Sequence, residues 1–394
     1  MKKMREKRRI YLDHASTTPL SARVRRVMAP FFDLSYGNPS AIYKEGVVAK
    51  EALREARKTA ASVLGARSDE IIFTGSGTEA DNLALLGTFE AARKKTPHFI
   101  TTVIEHPAVL EACRYIEQSG GSVTYLPVDQ KGIVRPENVR RALTPKTVLV
   151  SVMYVNNEIG TIQPIKEIGR MLRSYRDKEK SRFPYFHTDA SQAPNYLPVN
   201  VERLSVDLMT LDGSKIYGPK GVGMLYKRRG ITLEPVIRGG GQEGGLRSGT
   251  ENMAAIVGMG AALEEAAATR EKESKRLKKL QEYFFSRLNE VLPKAIVNGS
   301  RSERVPNNIN ICIEGLDGEY AVLLLDARGV ACSTSSSCRT LGENSSSYVI
   351  NSLGNGRRCA GSSLRFTMGR GTTRRELDTV LGLLGEVASL GARR

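Results

Sequence analysis

Tryptophan is missing from this chain altogether, an absence that decides nothing. Other absences say more. No apolar run reaches the length needed to cross a bilayer, so no membrane association is expected. The basic N-terminus, KKMREKRR at 2–9, runs straight into YLDHASTTP with no apolar core, so it does not have the form of a secretory signal. The five cysteines, Cys113, Cys312, Cys332, Cys338 and Cys359, include no CxxC pair and make an odd total. That argues against a disulfide framework and a structural zinc site, and for a reducing compartment. The expectation is a cytoplasmic protein with no metal site. No internal repeat and no long low-complexity linker interrupts the chain.

What is present describes an ordinary globular protein. A length of 394 residues, 40% of them hydrophobic and 26% charged, is ample for a large core and for two packed domains. The 37 glycines fit an α/β protein with many tight loops. The net charge of +17 raises the question of a nucleic-acid partner. However, the basic residues are scattered, and neither an RNA-binding signature nor a Cys/His finger accompanies them. We read the surplus as solvated surface charge and expect no direct nucleic-acid contact.

Periodicity gives the class. Residues 44–64 carry apolar positions at helical spacing, and IIFTGSGTEADNLALLG follows as a β-rich run, a Gly-rich turn and a helix pattern. The runs HFITTV, SVTYLPV, TVLVSVMYV, YFHTD, VDLMTL and GVGMLYKR then recur, with helical patterns such as 107–118 and 164–176 between the earlier ones. Such alternation predicts a mainly parallel sheet covered by helices on both faces. After about 252 the texture shifts to a long Ala/Glu/Lys-rich helical region with a possible break near 270, then shorter strands and helices (320–328, 375–388). The expected division is a large domain at 17–260 and a smaller α+β domain made of 1–16 and 261–394.

The chemistry-bearing residues fall at the ends of the strand-like runs. Asp189 closes one (YFHTD) and Lys215 follows the next, just ahead of a Pro/Gly turn. With the Gly-rich GSGTEADN (75–82) upstream, they suggest a pyridoxal phosphate site. That cofactor needs an amine for its aldehyde carbon, an acid beside its ring nitrogen, and backbone N–H groups at a helix start for its phosphate. His106, before Pro107, could stack on such a ring and move protons, or simply end a helix. VNNEIGTIQP (155–164) offers side-chain amides that suit a phenolate or carboxylate but more commonly fix loops. The glycines of GGGQEGGLRSGT (239–250) point to unusual backbone angles, with Arg247, Ser248 and Thr250 as phosphate donors. The Ser-rich stretch around 332–349 holds Cys338 beside Arg339, which would favour a reachable thiolate or mark an incidental surface cysteine. Arg365, between Leu364 and Phe366, is a candidate carboxylate clamp.

Taken in order, LDHASTTP, GNPS, GTEADN, EHPAVL, VNNEIG, HTDASQ, GSKIYGPKG, GGGQEGGLRSGT and SSLRFTMGR make the chain resemble the cysteine desulfurases. These are the NifS/IscS-like enzymes of the class V aminotransferase superfamily, and the resemblance runs from about residue 10 to about 375. It implies a fold-type-I, pyridoxal-phosphate-dependent homodimer of the branch with a long catalytic loop, here about 332–348. It makes Lys215 the cofactor amine, Asp189 the partner of the ring nitrogen and His106 the stacking acid/base. Asn157 and Gln192 would contact the ring oxygen, with Asn157 also near the substrate. Gly77, Thr78 and Ser214 would hold the phosphate, joined by Thr250 of the other subunit. Arg365 would clamp the carboxylate of L-cysteine, and Cys338 would take its sulfur as a persulfide while alanine leaves. An acceptor protein, an iron–sulfur scaffold or a tRNA-thiolation protein, would receive the sulfur.

Three features depart from the family's pattern. Many members have Ser-Gly-His or Ala-His before the lysine, whereas this chain has Asp212-Gly213-Ser214, and Asp212 would repel a phosphate unless turned away or paired. The loop after Cys338 is one residue longer than usual, and the chain stops at GARR without the extended tail that some members use for scaffold docking. The alternatives are a related lyase or aminotransferase, such as a selenocysteine lyase, and a basic sulfur-carrier or nucleic-acid-binding scaffold without catalysis.

Overall fold

The structure, a computed structural model, describes residues 9–93, 96–334, 346–354 and 357–391. Within them, in chain order, lie strand β1 (Ile10–Tyr11) and helices α1 (Ala22–Met28) and α2 (Lys44–Leu64). The strands β2 (Ile71–Thr74), β3 (His98–Thr102), β4 (Ser122–Leu126) and β5 (Thr147–Ser151) alternate with α3 (Gly77–Ala92), α4 (Pro107–Gln118) and α5 (Pro136–Ala142). Helix α6 (Ile165–Glu179) leads to β6 (Tyr185–Asp189), α7 (Val201–Leu204), β7 (Leu208–Asp212) and β8 (Gly223–Lys227). Beyond α8 (Met253–Val291) come β9 (Ile296–Val297), β10 (Asn308–Cys312), α9 (Gly318–Ala327), β11 (Val330–Ala331) and β12 (Ser333–Thr334). The described chain ends with α10 (Tyr348–Ser352), α11 (Arg357–Ala360), β13 (Ser363–Thr367) and α12 (Arg374–Gly391).

A seven-stranded sheet ordered β2-β8-β7-β6-β5-β3-β4 forms the centre. Every pairing in it is parallel except those of β8, which runs against both β2 and β7. Strands β3, β5 and β6 are buried along their whole length, as strands covered on both faces must be. Their successive residues feed opposite cores. Phe99 and Leu149 pack with α3 and α4 residues such as Leu83 and Val109, while Ile100 and Val150 pack with Ile168, Leu172 and the α8 side. A second sheet, β12-β13-β10-β9, is antiparallel, and β1 pairs separately with β11.

Two expectations are corrected. The break near 270 is absent: α8 is one helix of 39 residues that spans it, because no glycine or proline interrupts residues 261–291. The expected boundary at 260 therefore falls inside a helix. The cysteine reading, which argued against disulfides, also misses a pair. Cys312 on β10 and Cys359 on α11 form a disulfide, their Cα atoms 5.3 Å apart, because α10 and α11 fold back over β10 and share a core with Ile104, Met153 and Ile159. Their separation of 47 residues gave no hint of this. No described helix is long and apolar enough to cross a membrane.

Candidate active site

The expected residues gather where open α/β sheets place their sites, beyond the carboxyl ends of parallel strands. Asp189 is the last residue of β6, and Asp212 the last of β7, with a single 3₁₀ turn carrying Gly213 to Lys215. His106 follows β3 and caps α4, and Asn157 follows β5. Gly77 opens α3 after β2, with Ser76 as its N-cap.

Each side chain is held in a way that limits what it can do. Asp189 is 91% buried and accepts the Ser191 N–H at Oδ1 (2.9 Å), with no hydrogen bond to Oδ2 among the described residues. A free carboxylate oxygen in a buried floor suits a ring N–H. The Nδ1 atom of His106 accepts the Ala108 N–H at 3.1 Å, which makes the neutral ring carry its proton on Nε2. Burial lowers the His106 pKa, against the opposing pull of Asp189, and Lys215 lowers it further. Asp212 opposes that lowering as Asp189 does, so the charges of Asp189, Lys215 and Asp212 all act on this imidazole. Asn157 is buried with its Oδ1 unpaired, and Gln192 spends its amide on the Ala15 carbonyl (2.9 Å).

Lys215 donates through Nζ to the Ser16 carbonyl, and its own carbonyl is fixed by Asn195 at 2.9 Å. Arg365, on β13, is 1% exposed. Its NH2 group meets Asp13 Oδ1 at 2.8 Å, Ser16 Oγ at 3.0 Å and Ser333 Oγ at 3.2 Å, while NH1 donates to the Asn157 carbonyl at 3.0 Å. Its Nε has no partner. Ser16 thus touches both the amine and the guanidinium. Sequence reasoning gave no role to Asp13 or Ser16, although both stand in LDHASTTP. What it lacked was the long-range pairing that lays residues 10–18 across β11, β13 and the Lys215 turn.

The floor contains other buried titratable groups. Glu105, beside His106, is fully buried, and its carboxyl is pushed up to about 8 by desolvation. Its Oε1 accepts from Thr102 (2.7 Å) and the Met153 N–H (3.0 Å). Burial likewise raises Asp81 well above the usual carboxylate range and drops His187 to about 3, so their 3.5 Å approach joins two neutral groups rather than an ion pair. A cleft of about 570 Å³ lies beside the Lys215 turn, lined by Thr17, Thr18, Tyr217 and Arg370. None of the expected site residues lines it.

Thr78 is exposed at the head of α3, and Thr250 is exposed on the glycine loop, with no hydrogen bond to the other site residues of its own chain. That loop is anchored to the same helix head by Arg247–Glu79 (2.9 Å) and to α2 by Arg57–Glu243 (2.7 Å). Cys338 lies outside the described residues. The other four cysteines are unsuited to attack: Cys312 and Cys359 are paired, and Cys113 and Cys332 are buried, with burial lifting the Cys332 thiol to about 12.

Residues 10–380 match the family Aminotransferase class-V, and the chain belongs to that family. Within it, the chain is similar to "Cysteine desulfurase IscS" of Dictyoglomus turgidum, with 44% identity over 97% of this chain and 95% of that one. Among solved structures, a "NIFS-LIKE PROTEIN" superposes with a TM-score of 0.90 at 34% identity, covering 97% of this chain and 100% of the other. "SspA in complex with cysteine" superposes with a TM-score of 0.76 at 33% identity, covering 91% and 98%.

Proposed function

We propose that this protein is a pyridoxal-phosphate-dependent cysteine desulfurase, converting L-cysteine to L-alanine and passing the sulfur to Cys338. The observation that carries the reading is the double contact of Ser16 with Lys215 Nζ and Arg365. An α-amino acid whose nitrogen is engaged near Lys215 has its carboxylate within the reach of a buried guanidinium. The neighbour solved with cysteine supports the choice of substrate.

The residues present fit the cofactor: Asp189, 91% buried at the end of β6, has an oxygen with no hydrogen bond among the described residues, and Lys215 offers an amine on the turn after β7. Lys215 would hold it, Asp189 would face its ring nitrogen, and His106 would stack on the ring. Asn157 and Gln192 would reach its ring oxygen. Gly77, Thr78, Ser214 and the partner subunit's Thr250 would hold its phosphate. When bound, the cofactor draws electrons from the substrate Cα and so weakens the bond to sulfur. Lys215 Nζ, once released, moves a proton at that Cα. Neutral His106 holds a proton at Nε2 close by. Arg365 fixes the carboxylate, Nε being the donor still free to take it. The Cys338 thiolate takes the sulfur, so one cysteine becomes one alanine and one persulfide.

The same reading makes the protein a homodimer with 17–260 as its large domain and 1–16 plus 261–394 as the small one carrying the 332–348 loop. Residues Phe32, Leu34, Tyr36 and Ile42, between 70% and 97% exposed, form an apolar stretch that a second copy would cover. The sulfur acceptor is an iron–sulfur scaffold or tRNA-thiolation protein. The cytoplasm would keep the Cys338 thiol reduced, although the Cys312–Cys359 disulfide does not itself speak for a reducing compartment. The test is incubation with L-cysteine, measuring alanine and mapping persulfide by mass spectrometry. Equal yields of alanine and of persulfide on Cys338 are expected in a single turnover, with no persulfide in Cys338→Ala. Full-rate sulfide release by Cys338→Ala would favour a lyase instead, selenocysteine being the comparison substrate.

A further inference from the structure

The side chain of Asp212 is turned toward the helix head where a cofactor phosphate belongs. Its Oδ2 accepts the Gly77 N–H at 2.9 Å, at the first position of the 16-residue α3. Its Oδ1 accepts both the N–H and the hydroxyl of Ser214, at 2.7 and 2.5 Å. The fit is close: a methyl group on Gly77 would lie 3.1 Å from both Cβ and Oδ2 of Asp212. These three donors are of the kind that bind a phosphate, namely a helix-head N–H, a loop N–H and a hydroxyl, and a carboxylate already satisfies them. Asp212 is only half-buried, and its charge acts on His106 along with those of Asp189 and Lys215.

We propose that Asp212 is an internal competitor of the cofactor phosphate, so that loading requires its carboxylate to give up the Gly77 and Ser214 donors. This rests on the cofactor reading above and adds a determinant of how tightly the cofactor is held. Two anions cannot share one set of donors, and their mutual repulsion acts in a partly desolvated site. The affinity of this chain is therefore set below what the same cradle would reach without the aspartate, and the bound cofactor exchanges faster. The effect depends on the phosphate, because the ring and aldehyde are recognised elsewhere, by Asp189, His106 and Lys215.

The experiment uses the full chain, stripped of cofactor with hydroxylamine and titrated with pyridoxal phosphate or with pyridoxal, which lacks the phosphate. Binding is followed by the absorbance of the lysine-bound coenzyme, at about 410–430 nm. Wild type is compared with Asp212→Ser and with the near-isosteric Asp212→Asn, which keeps an acceptor for Ser214. The Kd for pyridoxal phosphate is expected to fall tenfold or more in both variants, with its release slowed to match, while the Kd for pyridoxal changes less than twofold. Unchanged or weaker binding of pyridoxal phosphate in both variants would overturn the proposal, as would equal tightening of pyridoxal. A wild-type protein that develops no such absorbance at any cofactor concentration would remove the cofactor reading itself, and this inference with it.

Discussion

Glu105 offers the sharpest test of the electrostatics of the site floor. Burial lifts its carboxyl from 4.5 to about 8. Between those values the folded chain keeps a proton that the unfolded chain has released, so stability falls as pH rises. The contribution is intact below about pH 4.5, declines through the window, and is gone above pH 8. At about 1.4 kcal/mol per pH unit the interval amounts to on the order of 4–5 kcal/mol. A Glu105→Gln substitution removes the titration while preserving the shape. Its carbonyl oxygen can accept from Thr102 and Met153, and its amide takes the place of Oε2, which has no partner. The assay is urea unfolding of cofactor-free wild type and variant from pH 4.5 to 9, because subtraction cancels the titrating groups that do not interact with Glu105. The variant should gain on wild type progressively across the window and level off above pH 8. A difference that stays flat within about 1 kcal/mol from pH 5 to 8 would refute the claim that desolvation dominates at this position.

Two further substitutions probe the frame. A Cβ at Gly223, on β8, would overlap the backbone of Ser76 and Gly77. Gly223→Ala should cost about 1–3 kcal/mol in unfolding experiments and weaken cofactor binding as the head of α3 is pushed aside. Arg365→Lys keeps the charge but loses the planar fork that reaches Asp13, Ser16, Ser333 and the Asn157 carbonyl. It should lower kcat/KM for L-cysteine at least about tenfold through KM, while the absorbance of the bound cofactor stays unchanged; unaltered steady-state kinetics would remove Arg365 from substrate binding.

The central sheet was legible because its signals are local. The strands from IIFT to GMLYK are short apolar runs closed by turn residues, and α2 matches its expected range of 44–64. The helix start at His106–Pro107 could also be read directly, since proline at the first turn and a capping side chain are sequence features. What could not be read was whatever depends on distant segments meeting. The two-residue strands β1, β9, β11 and β12 are too short to carry a period, and they exist because a partner strand is there. The Cys312–Cys359 pair, the clasp of residues 13–18 on Lys215 and Arg365, and the raised pKa of Glu105 all belong to that kind.

Asp212 shows where the two kinds of information meet. From the sequence, an aspartate three residues before the cofactor lysine is only an anomaly with two outcomes, turned away or paired. The geometry selects pairing, but with partners on two different elements: Ser214 in its own turn and Gly77 at the head of α3. The first partner alone would make Asp212 an ordinary turn residue of the Asx kind, satisfied locally and irrelevant to any ligand. The second ties it to the one backbone position that the strand–turn–helix arrangement reserves for an anion. Because β2 and β7 flank β8 in the sheet, their ends lie close enough for that bond to form. The residue that departs most plainly from its family is therefore held by the contact through which it can alter cofactor binding, and Asp212→Asn separates that role from a purely local one.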